Sequence, residues 1–369
     1  MKPRQKPPGF FVIQKGFDLK KGNDMGQAIS KLTIKGYKSI RNLENFELRN
    51  INILIGPNGA GKSNFVSFFE FLQAISKEKG APNFYIQKKG GADKFLYLGP
   101  KVTKSIKGNL VIVDCSPEYS FEFYITVGSN LASHKRIAIT DPNYAYLKID
   151  DIEKLFSSII YHFHDTSDFA AVKRPCSKRD YEYLRPDASN LAAFLLFLKI
   201  QSETKYQSIR ETVQLAAPFF DDFLLRDSLD NPDETLLEWR QKGSDYPFHP
   251  SQISDGTLRF ICLATALLQP NPPSTILLDE PELGLHPYAL TLLAGLIQKA
   301  SFKTQVIVST QSAALIDHFQ PEDIVIVERQ DSESIFKRLN KADLKVWLDD
   351  YSLGELWQMN VFGGRPARE

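Results

Sequence analysis

The sequence predicts an α/β protein with a mixed sheet, an antiparallel β N-terminal lobe and a helical lid insertion. Three observations predict this class. An apolar strand, Ile51 to Ile55, runs straight into a glycine-rich turn and then a helix. From residue 251 onward, helix and strand alternate as TLRFICLATALLQ, STILLDE, ALTLLAGLIQKA, QVIVST and DIVIVE, the pattern of a parallel sheet covered by helices. Between these two regions lie short segments of period two, and then a charged stretch rich in helical signals.

The elements follow in order. The chain has 369 residues, 43% of them hydrophobic, enough to bury the core of one large or two closely joined lobes. Residues 1–29 open with MKPRQKPPGFF and are expected to form a mobile basic arm, with Met25 as an alternative start of the domain. The arm lacks the continuous apolar stretch and small-residue cleavage site of a secretory signal. Residues 30–164 form the N-terminal lobe. There KLTIKGYKSIRNLENFEL alternates as a hairpin, and SNFVSFFEFLQAI places Phe65, Phe68, Phe69, Leu72 and Ile75 on one helix face. NLVIVDC, FEFYITV, YAYLKI and SIIYHFH follow, with a period that suits an antiparallel sheet. Residues 165–250, with NLAAFLLFLKIQ and ETVQLAAPFFDDFL, form the lid, and residues 251–369 the C-terminal lobe. No sustained heptad pattern is present, which excludes a long coiled-coil arm.

Composition excludes some partners. Forty-five basic against forty-four acidic residues leave a net charge of +1, so DNA contact would need a local patch. Cys115, Cys176 and Cys262 are odd in number and lack metal-ligand spacing, which points to a reducing compartment. No apolar run reaches the roughly 18 residues of a membrane span. A cytoplasmic protein with no membrane partner is expected.

The residues Gly56, Pro57, Asn58, Gly59, Ala60, Gly61, Lys62 and Ser63, followed by Asn64, fit G-x-x-x-x-G-K-[ST] between a strand and a helix. The glycines let successive backbone N–H groups turn inward, and the helix start adds its positive dipole end, so a polyphosphate finds a preformed nest. ATP with Mg2+ is the expected ligand. Lys62 reaches the terminal phosphates and Ser63 offers its hydroxyl to the metal. A turn that only connects strand to helix would not need this lysine and serine in this context.

TILLDEPELGLHP delivers Asp279 and Glu280 to the end of a buried strand. Side chains alternate, so Asp279 is expected at the magnesium shell and Glu280 at a water in line with the terminal phosphate, as general base or water orienter. Two solvated acids are the plainer alternative for an isolated Asp-Glu pair. Pro287 marks the first residue of the next helix, with His286 in the cap region. In QISDGTLRF, Ser254, Asp255 and Gly256 form a second candidate anion site at a helix start. Taken alone, that segment reads as an ordinary helix cap.

In this order the segments resemble ATPases of the ABC class, closest to the RecF-like and SMC-like branches, from about Lys31 to the C-terminus. In particular the chain resembles compact AAA-type, RecF-like bacterial ATPases, which share an NLAAFL-type lid segment, here Asn190 to Leu195, and an ending like YSLGELWQMNVFGGRP. The resemblance implies an ABC-type ATPase head. It also implies a head-to-tail homodimer formed on ATP binding, with Ser254, Asp255 and Gly256 of each subunit acting in trans on the other's nucleotide. Asp255 and Thr257 depart from the common LSGGQ pattern, and an acid beside phosphate is unfavourable unless it points away or caps its own helix. A glutamine between the first strands and the lid commonly senses magnesium in such folds, and Gln87 is the candidate. Lys38 and Arg41 lie in the segment that resembles the nucleotide-flanking hairpin, although surface charge explains either one alone. Gln311, at the tip of QVIVST, occupies the place of a switch residue that is commonly histidine. Glutamine can donate a hydrogen bond there but carries neither charge nor proton. Lys62, Glu280 and Gln311 are therefore the candidate catalytic residues.

Other signals carry less. In YHFHD, with His162, His164 and Asp165, the two histidines fall on one face of a strand as a possible metal pair, but no matching third and fourth ligand appears nearby in the sequence, which favours ordinary partly buried histidines. VKRPCSKRDYEYLR gathers Lys173, Arg174, Lys178, Arg179 and Arg185, with acids interspersed as on a solvated lid face. No Ser-His-Asp order, nuclease carboxylate pair or TOPRIM-like segment is recognisable. Two functions remain. One is an ATPase whose ATP-sandwiched dimer couples nucleotide state to DNA or a partner protein, in RecF-like repair or in anti-phage or toxin–antitoxin defence with a separately encoded nuclease. The other is a nucleotide-gated dimeric scaffold that recruits a partner nuclease with little turnover, against which Glu280 argues.

Overall fold

The computed structural model describes residues 28–76, 81–112, 119–124, 134–139, 158–228 and 231–363. Strands β1 (Ile29–Tyr37) and β2 (Ile40–Glu47) pair antiparallel across the Lys38–Ser39 turn, where Lys38 takes a φ of 49°. The chain then enters β3 (Ile51–Ile55), and α1 (Lys62–Ser76) follows after the glycine-rich turn. Phe65, Phe68, Phe69 and Leu72 of α1 are all buried, each such side chain contributing about 1.5–3 kcal/mol on removal from water. After α2 (Ala81–Lys88), β4 (Ser105–Ile112), β5 (Tyr119–Tyr124) and β6 (His134–Ile139) complete an antiparallel sheet in the order β2-β1-β4-β5-β6. The expected strand YAYLKI lies outside the described residues.

The next strand corrects an expectation. SIIYHFH supplies β7 (Ser158–Tyr161), which leaves the antiparallel lobe and pairs in parallel with β13 (Thr275–Asp279). Alternation reports a half-buried strand but carries no direction. Direction is set here by the long, helix-containing crossover between the two strands.

That crossover is the lid, and it is less purely helical than expected. It holds α3 (Leu191–Gln201) and α4 (Glu203–Ala216), but also β8 (Cys176–Ser177), β9 (Phe220–Leu224), β10 (Glu234–Thr235), β11 (Glu238–Gln241) and β12 (Pro247–Phe248). Strands of two to five residues are too short to display a period in sequence.

The C-terminal lobe alternates as predicted: α5 (Asp255–Leu268), β13, α6 (Pro287–Ala300), β14 (Gln305–Thr310), the short α7 (Ala313–Ile316), β15 (Ile324–Gln330) and β16 (Glu333–Arg338). Two short helices, α8 (Lys341–Leu344) and α9 (Leu353–Gln358), follow. The described strands of the mixed sheet run β16-β15-β3-β14-β13-β7, with β15 through β7 parallel and β16 antiparallel at the edge.

Both faces of this sheet are covered, which is why its strands read as continuous apolar runs. Ile53, Ile55, Ile276, Leu278, Val306 and Val308 face the core shared with the lid and α5. The intervening residues Leu54, Leu277 and Ile307 face α1 and the β1–β2 hairpin. Register does the rest. Asp279 pairs with Ser309, Thr310 with Ile55, and Leu278 with Tyr161, so four parallel strands release their chains at one edge. Crevices outside the carboxyl ends of parallel strands are where open α/β sheets bind ligands.

Candidate nucleotide-binding site

The turn after β3 is held from behind. Ser334 of β16 donates its hydroxyl to the Ala60 carbonyl at 2.6 Å and is hydrogen-bonded to the Ser39 hydroxyl at 2.7 Å, and Asn64 donates to Ser39 at 2.7 Å. Gly61 has a φ of 110°, and a Cβ there would collide with the Ser334 hydroxyl. Only glycine serves at that position. Lys62 is buried, and its ammonium donates to the carbonyls of Gly56 at 2.7 Å and Pro57 at 3.0 Å. Burial pushes its pKa down, while Glu280, Asp279 and Glu282 pull it back up, which places all three acids near the lysine. Asn58, Gly59 and Ser63 are exposed at the mouth of the turn.

The acid pair and the expected switch residue meet directly. Glu280 has a φ of 44°, uncommon for a side-chain-bearing residue, and its N–H donates to the Ser309 carbonyl at 2.8 Å. The Gln311 side-chain amide donates to the Glu280 carboxylate. A further residue, not picked out from the sequence, secures this corner. Glu282 accepts from the Thr310 hydroxyl at 2.5 Å and the Gln311 N–H at 2.9 Å. Burial raises its pKa despite those bonds. The signal was available in the run DEPEL, as a second acid two residues past the pair.

Asp279 Oδ1, Glu282 Oε2 and Ser309 Oγ are buried without a hydrogen-bond partner, three of the six such side-chain atoms among the described residues. Buried polar atoms are almost always paired, so their gathering at one sheet edge makes that edge a candidate ligand site. An exposed Ser63 hydroxyl and the Asp279 carboxylate at the end of β13 fit a divalent cation.

The candidate signature segment, Ser254 to Gly256 in the place of LSGGQ, is also positioned by the fold. Ser254 caps α5, accepting from the Thr257 N–H at 3.3 Å. Asp255 stands in the first helical turn, and Lys173 from the start of the lid comes within 3.9 Å of it. The acid therefore faces its own lid lysine and the favourable end of its own helix dipole. Gly256 packs so closely on the loop after the acid pair that a Cβ would collide with the Gly284 carbonyl. Arg259, one turn on, donates to the carbonyls of Phe163 at 2.9 Å, His164 at 3.2 Å and Leu283, tying the end of β7 to that loop.

Some expected residues lie elsewhere. Gln87 is exposed on α2, whose Tyr85 donates to Glu70 at 2.9 Å, two turns along α1 from Ser63. The described chain leading from the last N-terminal strand into the lid is His162 to Asp165, so histidines occupy the stretch where the glutamine was sought. Lys38 points into the fold and donates to Ser67 of α1 at 2.8 Å, whereas Arg41 lines a separate open depression with Lys35 and Lys104. Within the basic lid segment, Lys173 is buried and Lys178 and Arg185 are paired with Asp227 and Asp180, leaving Arg174 and Arg179 exposed. The pair His162 and His164 lies beyond the end of β7 rather than on it. His286 caps α6, with Pro287 as its first residue, as expected.

Two NLAAFL and C-terminal features prove to be buttresses. Asn190 is fully buried and fixes the 180–185 turn through Asp180, Tyr183 and Arg185, and the Pro186 carbonyl accepts from the His162 N–H at 2.9 Å. Gly354 of α9 donates to Asp317 at 2.6 Å and lies against the Ala313 carbonyl, supporting the helix that follows Gln311.

Known proteins bear on this arrangement. The Smc head bound to the C-winged helix domain of ScpA is similar over 86% of this chain and 99% of its own, at 17% identity and a TM-score of 0.60. The Smc head with an extended coiled coil bound to the C-terminal domain of ScpA, from Pyrococcus furiosus, is similar over 88% and 99%, at 15% identity and a TM-score of 0.57. At such identities the likeness shows the fold, an SMC head-type α/β architecture. No curated protein matches the chain. The family model described as "AAA domain, putative AbiEii toxin, Type IV TA system" matches residues 51–317, from β3 through the helix after Gln311, and the chain belongs to that AAA-type ATPase family.

Proposed function

We propose that this protein hydrolyses ATP and uses the cycle to open and close a homodimer that engages a partner protein. The observation that carries the reading is the alignment of the strand tips, with Gln311 bonded to Glu280 beside Asp279 and in front of the phosphate turn. Gly56 to Asn64 cradle the phosphates, and Lys62 exchanges its carbonyl partners for phosphate oxygens. Ser63 and Asp279 would hold Mg2+, which supplies charge neutralisation at the terminal phosphates. Glu280 takes the proton from the attacking water, and Gln311 orients the Glu280 carboxylate. Ser254 and Gly256, with Asp255 held by Lys173, present the exposed helix start to the nucleotide of the partner subunit.

The family description favours a toxin–antitoxin or anti-phage setting over repair, and the Smc heads bound to ScpA domains supply a precedent for a head that recruits a second protein. Turnover separates the ATPase from the nucleotide-gated scaffold. Glu280→Gln is expected to retain ATP binding and ATP-induced dimerisation while turnover falls 100-fold or more, the scale of losing a general base. Measured by phosphate release and by light scattering, equal turnover of the variant and wild type removes Glu280 as the base. Dimerisation of the wild type on ATP with no turnover selects the scaffold.

A further inference from the structure

His162 and His164 have no part in the hydrolytic scheme, yet the fold brings them to its edge. One ligand atom from each of His162, His164 and Asp279 lies within 4.8 Å of the other two. In sequence the third ligand is more than a hundred positions away. We propose that these three side chains form a binding site for a first-row transition-metal dication, adjoining the nucleotide pocket.

Four observations carry it. Asp279 Oδ1 is a buried acceptor without a partner, the kind of atom that a cation satisfies. His164 is exposed, and it lines a narrow cavity with Arg259, Asp279 and Glu280, so the pair of ligands opens onto reachable space. The His162 ring is already oriented: its Nε2 lies 3.0 Å from Glu70, which Tyr85 at 2.9 Å and Lys89 at 3.0 Å hold in turn. A carboxylate on one ring nitrogen fixes the tautomer and leaves Nδ1 as the ligand, the arrangement that metal-binding histidines commonly show. The backbone between the rings is clamped as well, by Arg259 on the carbonyls of Phe163 and His164 and by Pro186 on the His162 N–H.

The chemistry of the donors selects the ion. Metal–ligand bonds of about 2.0–2.2 Å put donors no more than roughly 4.4 Å apart, so closing this triad needs only a small rotation of the exposed His164. Two imidazole nitrogens and one carboxylate oxygen suit zinc, cobalt, nickel or iron better than magnesium, which prefers all-oxygen ligands and keeps its waters. The site shares Asp279 with the hydrolytic reading and rests on that reading only there, since a carboxylate can serve two neighbouring ions through its two oxygens.

The test uses untagged, full-length, chelator-stripped protein without nucleotide, titrated with Co2+ and followed by its visible absorption. We expect stoichiometric binding with nitrogen-ligand bands, displacement by Zn2+, and no displacement by a 100-fold excess of Mg2+. His164→Ala and Asp279→Asn should each weaken Co2+ by tenfold or more, and Glu70→Gln by about tenfold through loss of ring orientation. His249→Ala, in a different loop, should bind as wild type. Circular dichroism and melting curves check that the variants fold, and His164, being exposed, can be changed without loss of core. Absence of the bands, equal competition by Mg2+, or wild-type affinity in His164→Ala overturns the proposal. Lys62→Ala distinguishes the two readings: it should lose ATP and keep Co2+. A wild type that binds ATP but not Co2+ sinks the metal site alone, and one that binds Co2+ but not ATP sinks the nucleotide site alone.

Discussion

The phosphate turn and the signature turn are both glycine-bearing turns at the start of a helix, and they are built in opposite ways. The phosphate turn is braced inside one chain: Ser334, Ser39 and Asn64 support it from behind, and Lys62 spans it to two of its own carbonyls. The signature turn is anchored at its rear, where Gly256 meets the Gly284 loop, while Ser254 and Asp255 stand exposed at the front, Asp255 beside Lys173. A braced turn can bind its ligand alone. An exposed cap with a fixed rear is open to a ligand from outside the subunit, which is what the proposed role in trans requires.

The largest expected effect tests the braced half. Lys62→Ala removes the charge opposite the phosphates and both internal bonds of the turn, and a loss of ATP affinity of at least about 100-fold is expected by calorimetry. ATP binding at wild-type affinity would remove Lys62 from the site. The next tests the exposed half. Ser254→Arg should leave each subunit's own nucleotide binding intact and abolish turnover, and mixing it with Lys62→Ala should restore activity through one composite site. A mixture as inactive as its parents ends the claim that the signature works in trans.

Gln311→Ala sharpens the link between the strand tips. Loss of one orienting hydrogen bond, about 1–1.5 kcal/mol, predicts a fall of roughly tenfold in turnover with ATP affinity unchanged. No turnover change would leave Gln311 as a passive neighbour of Glu280. The last effect lies behind the site and is one of stability rather than turnover. Burial would raise the Glu70 carboxyl, but hydrogen bonds from His162, Lys89 and Tyr85 outweigh it and hold the pKa down at about 2. A folded pKa below the ordinary 4.5 contributes stability that is present above pH 4.5 and is lost as pH falls toward 2. Glu70→Gln should therefore cost about 1–3 kcal/mol in urea melts at pH 7, with the gap to wild type narrowing below pH 4.5. A gap that does not depend on pH would mean that the ionised carboxylate is not what holds this corner.

Local pattern was enough wherever the chemistry is contiguous. Gly56 to Asn64 and Asp279–Glu280 are legible because a phosphate nest and a strand-end acid pair are each built within a few residues of backbone. Glu282 was harder to see, since its importance comes from Thr310 and Gln311 on another strand. Gln87 was the natural glutamine by position along the chain, and its exposed place on α2 could not be read from residue spacing.

The sequence by itself determined the alternation of strands and helices, the phosphate turn, the acid pair, and the odd glutamine at the tip of QVIVST, because each is a matter of local period, backbone freedom or side-chain chemistry. Only the tertiary structure decided that β7 runs parallel beside β13, that Asp255 faces Lys173, and that His162 and His164 acquire Asp279 as a neighbour. Those facts depend on sheet register and on a crossover of more than a hundred residues, and no local period in a chain encodes which distant strand it will lie against.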